Sequence, residues 1–121
     1  MKFDLEDRVI KFGVAVLEFS EKMPESKAAT HLSGQLIRSA TAPALMYAEA
    51  SGAESRSDFI HKMGIALKEL HETRSCLQII KLKKCYHDVN QMDHLIDESN
   101  QLVAIFGKSI NTAKSKISKT G

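Results

Sequence analysis

Tryptophan is absent from the 121-residue chain, proline occurs twice, and aromatic residues make up only 6%. So few helix breakers and so few aromatics favour helix over sheet. Cysteine is as scarce: Cys76 and Cys85 are the only two, without C-x-x-C spacing. They cannot build a zinc site alone, and without a secretory signal they read as free thiols in a reducing compartment. No apolar run approaches ~20 residues, and the opening MKFDLEDRVIKF carries charge throughout. The reading is therefore neither signal peptide nor membrane span, and a cytoplasmic location. No glycine-rich phosphate loop exists among the 6 glycines, and no G-x-S-x-G elbow surrounds any serine. A net charge of +2 is too small by itself to demand a nucleic-acid partner.

What is present is helical rhythm. Leu5, Val9, Phe12, Val16, Phe19 and Met23 recur at steps of four and three, which lays one apolar stripe along a helix. Ala29, Leu32, Leu36, Ser39, Pro43, Met46 and Ala50 continue the pattern with smaller side chains. SATAPA at 39–44 has no bulky residue, so a neighbouring backbone can come close. Pro43 removes one helical hydrogen bond and crowds the carbonyl of Ser39, so a kink is expected there; two shorter helices are the alternative. Phe59, Met63, Ala66, Leu70, Thr73, Leu77 and Ile80 form the third stripe, and Met92, Leu95, Ser99, Leu102, Phe106, Ser109, Ala113 and Ile117 the fourth. Breaks fall at Met23-Pro24-Glu25-Ser26, at Gly52 and after Lys84. Asp4, Ser55 and either Asp88 or Asn90 are positioned as N-caps. The expected fold is all-α: one antiparallel up-down-up-down four-helix bundle over 1–121, with helices at 4–23, 26–51, 56–84 and 89–117 and a frayed tail at 118–121.

The stretch DFIHKMGIALKELHETR, residues 58–74, is dense in histidines, acids and bases. HET begins like the zinc motif H-E-x-x-H, but position 75 is Ser, so the second ligand is missing. A di-metal bundle needs two Glu-x-x-His pairs, and only Asp58-x-x-His61 comes near one. No metal or other cofactor is expected. At 100° per residue, Lys62 and Glu69 fall at one edge of the apolar stripe and Arg74 at the other, where long side chains can reach the next helix. His61, Lys68 and Glu72 face outward, with His71 between. Cys76 turns roughly 140° from His71, which removes a Cys–His pair.

The basic residues gather at two places. Lys81, Lys83 and Lys84 end the third helix, and 107–121 holds four lysines and no acid, among them Lys114, Lys116 and Lys119. The bundle topology would add Lys22 and Lys27 to the first cluster and Lys2 and Arg56 to the second. The plainer reading is solvated helix ends that suit the dipole. The functional reading is a pair of phosphate-contacting patches.

QLIRSATAPALMYAEASGAESRSDFIHKMGIALKELHETRSCLQII, residues 35–80, resembles the core signature of bacterial four-helix-bundle proteins known as 23S rRNA-intervening-sequence or S23-type proteins. QLIRSATAPA, AES-x-x-DFIHK and IALKELHET are its most specific parts, and helices one and four fit in length and place. The resemblance implies a bundle that closes into a homopentameric ring, with no enzyme activity. Some relatives are encoded within insertions of 23S rRNA genes, and a related accessory protein of diversity-generating retroelements forms a similar pentamer that binds nucleic acid. Arg38, Glu49, Glu54, Asp58, Lys62, Glu69 and Glu72 match recurrent polar positions of the family. Met46 and Ala48 depart from it, standing where Asn and Gly are common, which implies one polar inter-helix hydrogen bond fewer.

Together these readings give a non-enzymatic, oligomeric bundle that binds structured nucleic acid, RNA above all, through basic patches. The alternatives are a protein-interaction scaffold and a metal- or cysteine-dependent enzyme. Leu45, Ile65 and Ile79 point away from their apolar stripes and are read as the subunit contact.

Overall fold

Asp4 opens the first helix because its carboxylate accepts the Asp7 backbone N–H at 3.0 Å, satisfying a donor that the first helical turn leaves free. Ser26 does the same for Ala29 and Ser55 for Asp58, and Asp88 accepts from Gln91 at 3.1 Å. These caps start four helices: α1 (Leu5–Glu21), α2 (Lys27–Ser51), α3 (Arg56–Lys83) and α4 (Val89–Thr120). They belong to a computed structural model that describes residues 4–120, with side chains through 117. The described residues contain no strand.

Pro43 lies inside α2, which continues through it as one helix. At the other extreme, α3 ends on Lys84 in the left-handed region (φ 60°), and Cys85 N–H returns to the Ile80 carbonyl. α4 extends to Thr120, beyond the end at 117 read from sequence, because no breaker interrupts Ile117-Ser118-Lys119-Thr120.

The helices form a four-membered ring in which backbones approach between α1 and α2, α2 and α3, α3 and α4, and α4 and α1. Cross-helix pairs fix the directions. Arg38 meets Glu72 while Glu49 meets Lys62, so α2 and α3 run oppositely. Arg74 meets Asn100 while Lys81 meets Asp93, so α3 and α4 do too. Phe19, Phe106, Leu36, Met63, Leu70, Leu77, Met92 and Leu102 fill the centre, all fully buried. Leu5, Met23, Leu32, Met46 and Phe59 are partly buried at its margins.

Two features of this core are not bulky apolar packing. Thr73 and Ser39 are buried, with hydroxyls 3.0 Å apart, and Thr73 Oγ1 also lies 2.9 Å from the Glu69 carbonyl. Each hydroxyl has one proton, so when Thr73 donates to that carbonyl, Ser39 donates to Thr73. The second feature is Gly13 in mid-α1, where glycine costs about 1 kcal/mol relative to alanine. A Cβ there would stand 3.2 Å from the Ala40 carbonyl oxygen of α2. The small residues of α2 and a glycine of α1 thus permit one close approach. Gly13→Leu is expected to destabilise the fold by about 1–3 kcal/mol through overpacking, read from the urea midpoint. Unchanged stability would show that α1 and α2 can separate freely.

Candidate functional site

The charged side chains of α3 mostly bridge helices. Arg38 of α2 spans Glu69 (3.0 Å) and Glu72 (2.7 Å), with Gln35 beside it at 3.3 Å. Its hydrogen bond to Glu72, aided by the field of Glu69, holds its proton more tightly than usual. Lys62 donates to Glu49 at 2.9 Å, which raises its pKa in the same way. Arg74 reaches the other way, to Asn100 of α4 at 3.0 Å and to His71 Nδ1 at 2.8 Å. A guanidinium only donates, so Nδ1 of His71 accepts. Arg8 forks onto both oxygens of Glu98 at 2.9 and 2.7 Å and adds Gln101 at 2.8 Å, tying α1 to α4. Glu72, outward by helical angle, is therefore drawn into the α2–α3 seam by the long Arg38. Glu54 is exposed and makes no side-chain hydrogen bond or ion pair among the described residues, while the Asp58 carboxylate adds its field at Lys62.

Among the described residues, no three of His, Cys, Asp and Glu gather where they could share a metal ion. Burial pushes the Cys76 thiol up to about 11, and its Sγ donates to the Leu32 carbonyl at 3.6 Å. A thiol that stays protonated is a poor nucleophile. Iodoacetamide at mildly alkaline pH should label the half-buried Cys85 while sparing Cys76 until the chain unfolds, as peptide mapping would reveal. Rapid labelling of native Cys76 would contradict its placement. The raised pKa also fixes a sign. The folded state holds this proton more tightly than the unfolded state does, so its contribution is complete below the ordinary thiol pKa near ~8.5 and is lost as pH rises from there toward 11.

The two basic ends differ. Lys81 is paired with Asp93, a tie between α3 and α4, so its charge is already compensated. Lys81, Lys83 and Lys84 are all exposed. At the other end, Lys108, Lys114 and Lys116 are exposed on α4, and Arg56 is the first residue of α3. The side chains of Lys2 and Lys119 lie outside the described residues. Lys108, Thr112 and Lys116 form one i, i+4, i+8 row, with a hollow on either side. The larger, about 720 Å³, is shared with Arg56. Lys114 borders a third hollow beside Ile60 and Leu67. Among the described residues, no carboxylate lines any of the three. Lys108 was the basic residue that the reading of the tail passed over; its i−8 spacing from Lys116 was the available signal.

A profile of the 23S rRNA-intervening sequence protein family matches residues 1–108. The chain belongs to that family. A solved relative is a crystal structure of a protein of unknown function from the S23 ribosomal protein family of Bacteroides thetaiotaomicron. It is 27% identical, covers 88% of this chain and 98% of its own, and superposes with a TM-score of 0.78. No curated protein matches. The 23S rRNA-intervening sequence family is one of small helical proteins of unknown function and is not a known enzyme family. Among the described residues of this family member, no helix is long and apolar enough to cross a membrane.

The outward aliphatics of this S23-family chain are arranged differently from the sequence reading. Leu45 is 65% exposed and Ile79 53%, but Ile65 is only half-exposed. Ile79 also lies fourteen residues along α3 from Ile65, about 21 Å at 1.5 Å per residue. The three therefore do not make one patch. Ile10 and Val14 of α1 and Ile37 of α2, each 45–47% exposed, were missed. They follow Gly13 and Ala40 around their helices and flank the α1–α2 seam on the side of Leu45.

Proposed function

We propose that this family member is a non-enzymatic, cytoplasmic homo-oligomer, a pentamer by preference, that binds structured RNA through its basic end. The observation that carries this reading is the set of three hollows along the C-terminal half of α4, bordered by Arg56, Lys108, Lys114 and Lys116 and by no carboxylate among the described residues. From Ser99 onward the sequence has no acidic residue to oppose an approaching phosphate. Phosphate contacts of this kind give affinity without base specificity, and lysine serves there as a point charge. The polar network at the α2–α3 and α3–α4 seams holds helices in place and is not part of the interface.

Fluorescence anisotropy with a structured RNA tests this. Replacing Lys114, Lys116 and Lys119 together by Gln should weaken binding to all structured RNAs alike, and Lys83→Gln with Lys84→Gln should weaken it less. Unchanged binding in both variants would remove the basic patches from the account. Absence of binding even at low salt would favour a protein-interaction scaffold, a reading that the exposed α1–α2 aliphatics already support. Assembly is tested by light scattering on a sizing column. Wild type should elute as an oligomer, and Ile37→Asp with Leu45→Asp, both at exposed positions, should elute as a monomer. A monomeric wild type would end the ring proposal.

A further inference from the structure

We infer that the hollow between the start of α3 and the end of α4 seats one unpaired nucleotide of the bound RNA, with its base on the apolar floor and its phosphate on the basic rim. This inference rests on the RNA-binding reading and adds a distinct site to it. The hollow is unlike the other basic surfaces because its floor is apolar and aromatic: Leu5, Tyr47, Phe59 and Ile105. Its rim carries Arg56, Lys108 and Lys116. At about 720 Å³ it falls within the range of ~300–1,000 Å³ typical of small-ligand clefts, enough for a single nucleotide.

The parts match the two halves of a nucleotide. A base has apolar faces that stack on aromatic rings and is sequence-tolerant in doing so. Tyr47 and Phe59 are both half-exposed, so each offers ring surface. Tyr47 is held by an edge contact with the buried Phe106, with ring centres 5.9 Å apart at 62°. Its hydroxyl has no hydrogen-bond partner among the described residues, which leaves a polar handle for a base edge. A phosphate needs positive charge without a competing acid; Arg56 and Lys108 supply the charge, and among the described residues the lining contains no carboxylate. Arg56 adds the positive end of α3, because it is that helix's first residue. A fully paired duplex keeps its bases stacked and can use only the rim. An unpaired nucleotide can use both rim and floor.

The test uses the full chain and two RNA hairpins, identical except that one carries a single bulged 2-aminopurine. Wild type should bind the bulged hairpin on the order of tenfold more tightly, with a change in 2-aminopurine fluorescence on binding. Tyr47→Ala should erase that preference while keeping salt-sensitive binding to the bulge-free hairpin, and Tyr47→Phe should retain it. Arg56→Gln with Lys108→Gln, at exposed positions that leave the core intact, should lower affinity for the bulged hairpin more than for the other. Equal wild-type affinity for the two hairpins, with salt-sensitive binding, would overturn the nucleotide seat and leave RNA binding standing. No binding to either hairpin at low salt would overturn the RNA reading itself.

Discussion

Raising the salt from about 50 mM to about 200 mM is expected to weaken RNA binding roughly a hundredfold per engaged protomer. Each phosphate contact releases condensed counterions and adds about −0.9 to the slope of log affinity against log salt. Arg56, Lys108, Lys114 and Lys116 border the hollows at the end of α4, so four contacts give a slope near −3.6. Lys83 and Lys84 alone would give a slope near −1.8, about a twelvefold loss over the same range. Lys81, which is paired with Asp93, is left out of both counts. An anisotropy titration across a salt series separates the cases. A slope near zero would mean that phosphate contacts do not drive the interaction.

Phe19→Ala should cost about 3–5 kcal/mol, a large part of the ~5–15 kcal/mol that holds a domain together. Phe19 is fully buried and meets Tyr86 edge to face, with ring centres 4.6 Å apart. Tyr86 in turn donates to Gln91, so this contact joins α1 to the turn between α3 and α4. Truncation removes the transfer free energy of the ring and leaves a cavity that caps and ion pairs cannot close. Urea unfolding should show a markedly lower midpoint with a similar slope. A loss under about 1 kcal/mol would mean that this end of the core is loosely packed.

The helices were legible because the core is periodic. Val9, Leu36, Leu70 and Leu102 each stand on a stripe that recurs at three and four, and each is fully buried. Caps were legible because they are local: Asp4 and Ser55 lie three residues from the N–H groups they accept. What escaped depends on segments distant in sequence. Gly13 is explained by the Ala40 carbonyl, twenty-seven residues away on α2. Lys81 looked free until the turn after α3 brought Asp93 to it. The angle of Glu72 pointed outward, but the long Arg38 side chain reaches it. Ile65 and Ile79 share an outward tendency, yet the length of α3 separates them. The α3–α4 hollow joins Arg56 to Lys108 and Lys116, more than fifty residues on, and no local pattern marks that meeting.

The most direct test of RNA binding at the basic end is ultraviolet crosslinking of the protein–RNA complex followed by peptide mapping. The account predicts crosslinks in the peptides holding Tyr47, Phe59 and the Lys108–Lys116 stretch of α4. Crosslinks confined to the peptides around Val14 and Ile37 on the α1–α2 face would contradict it.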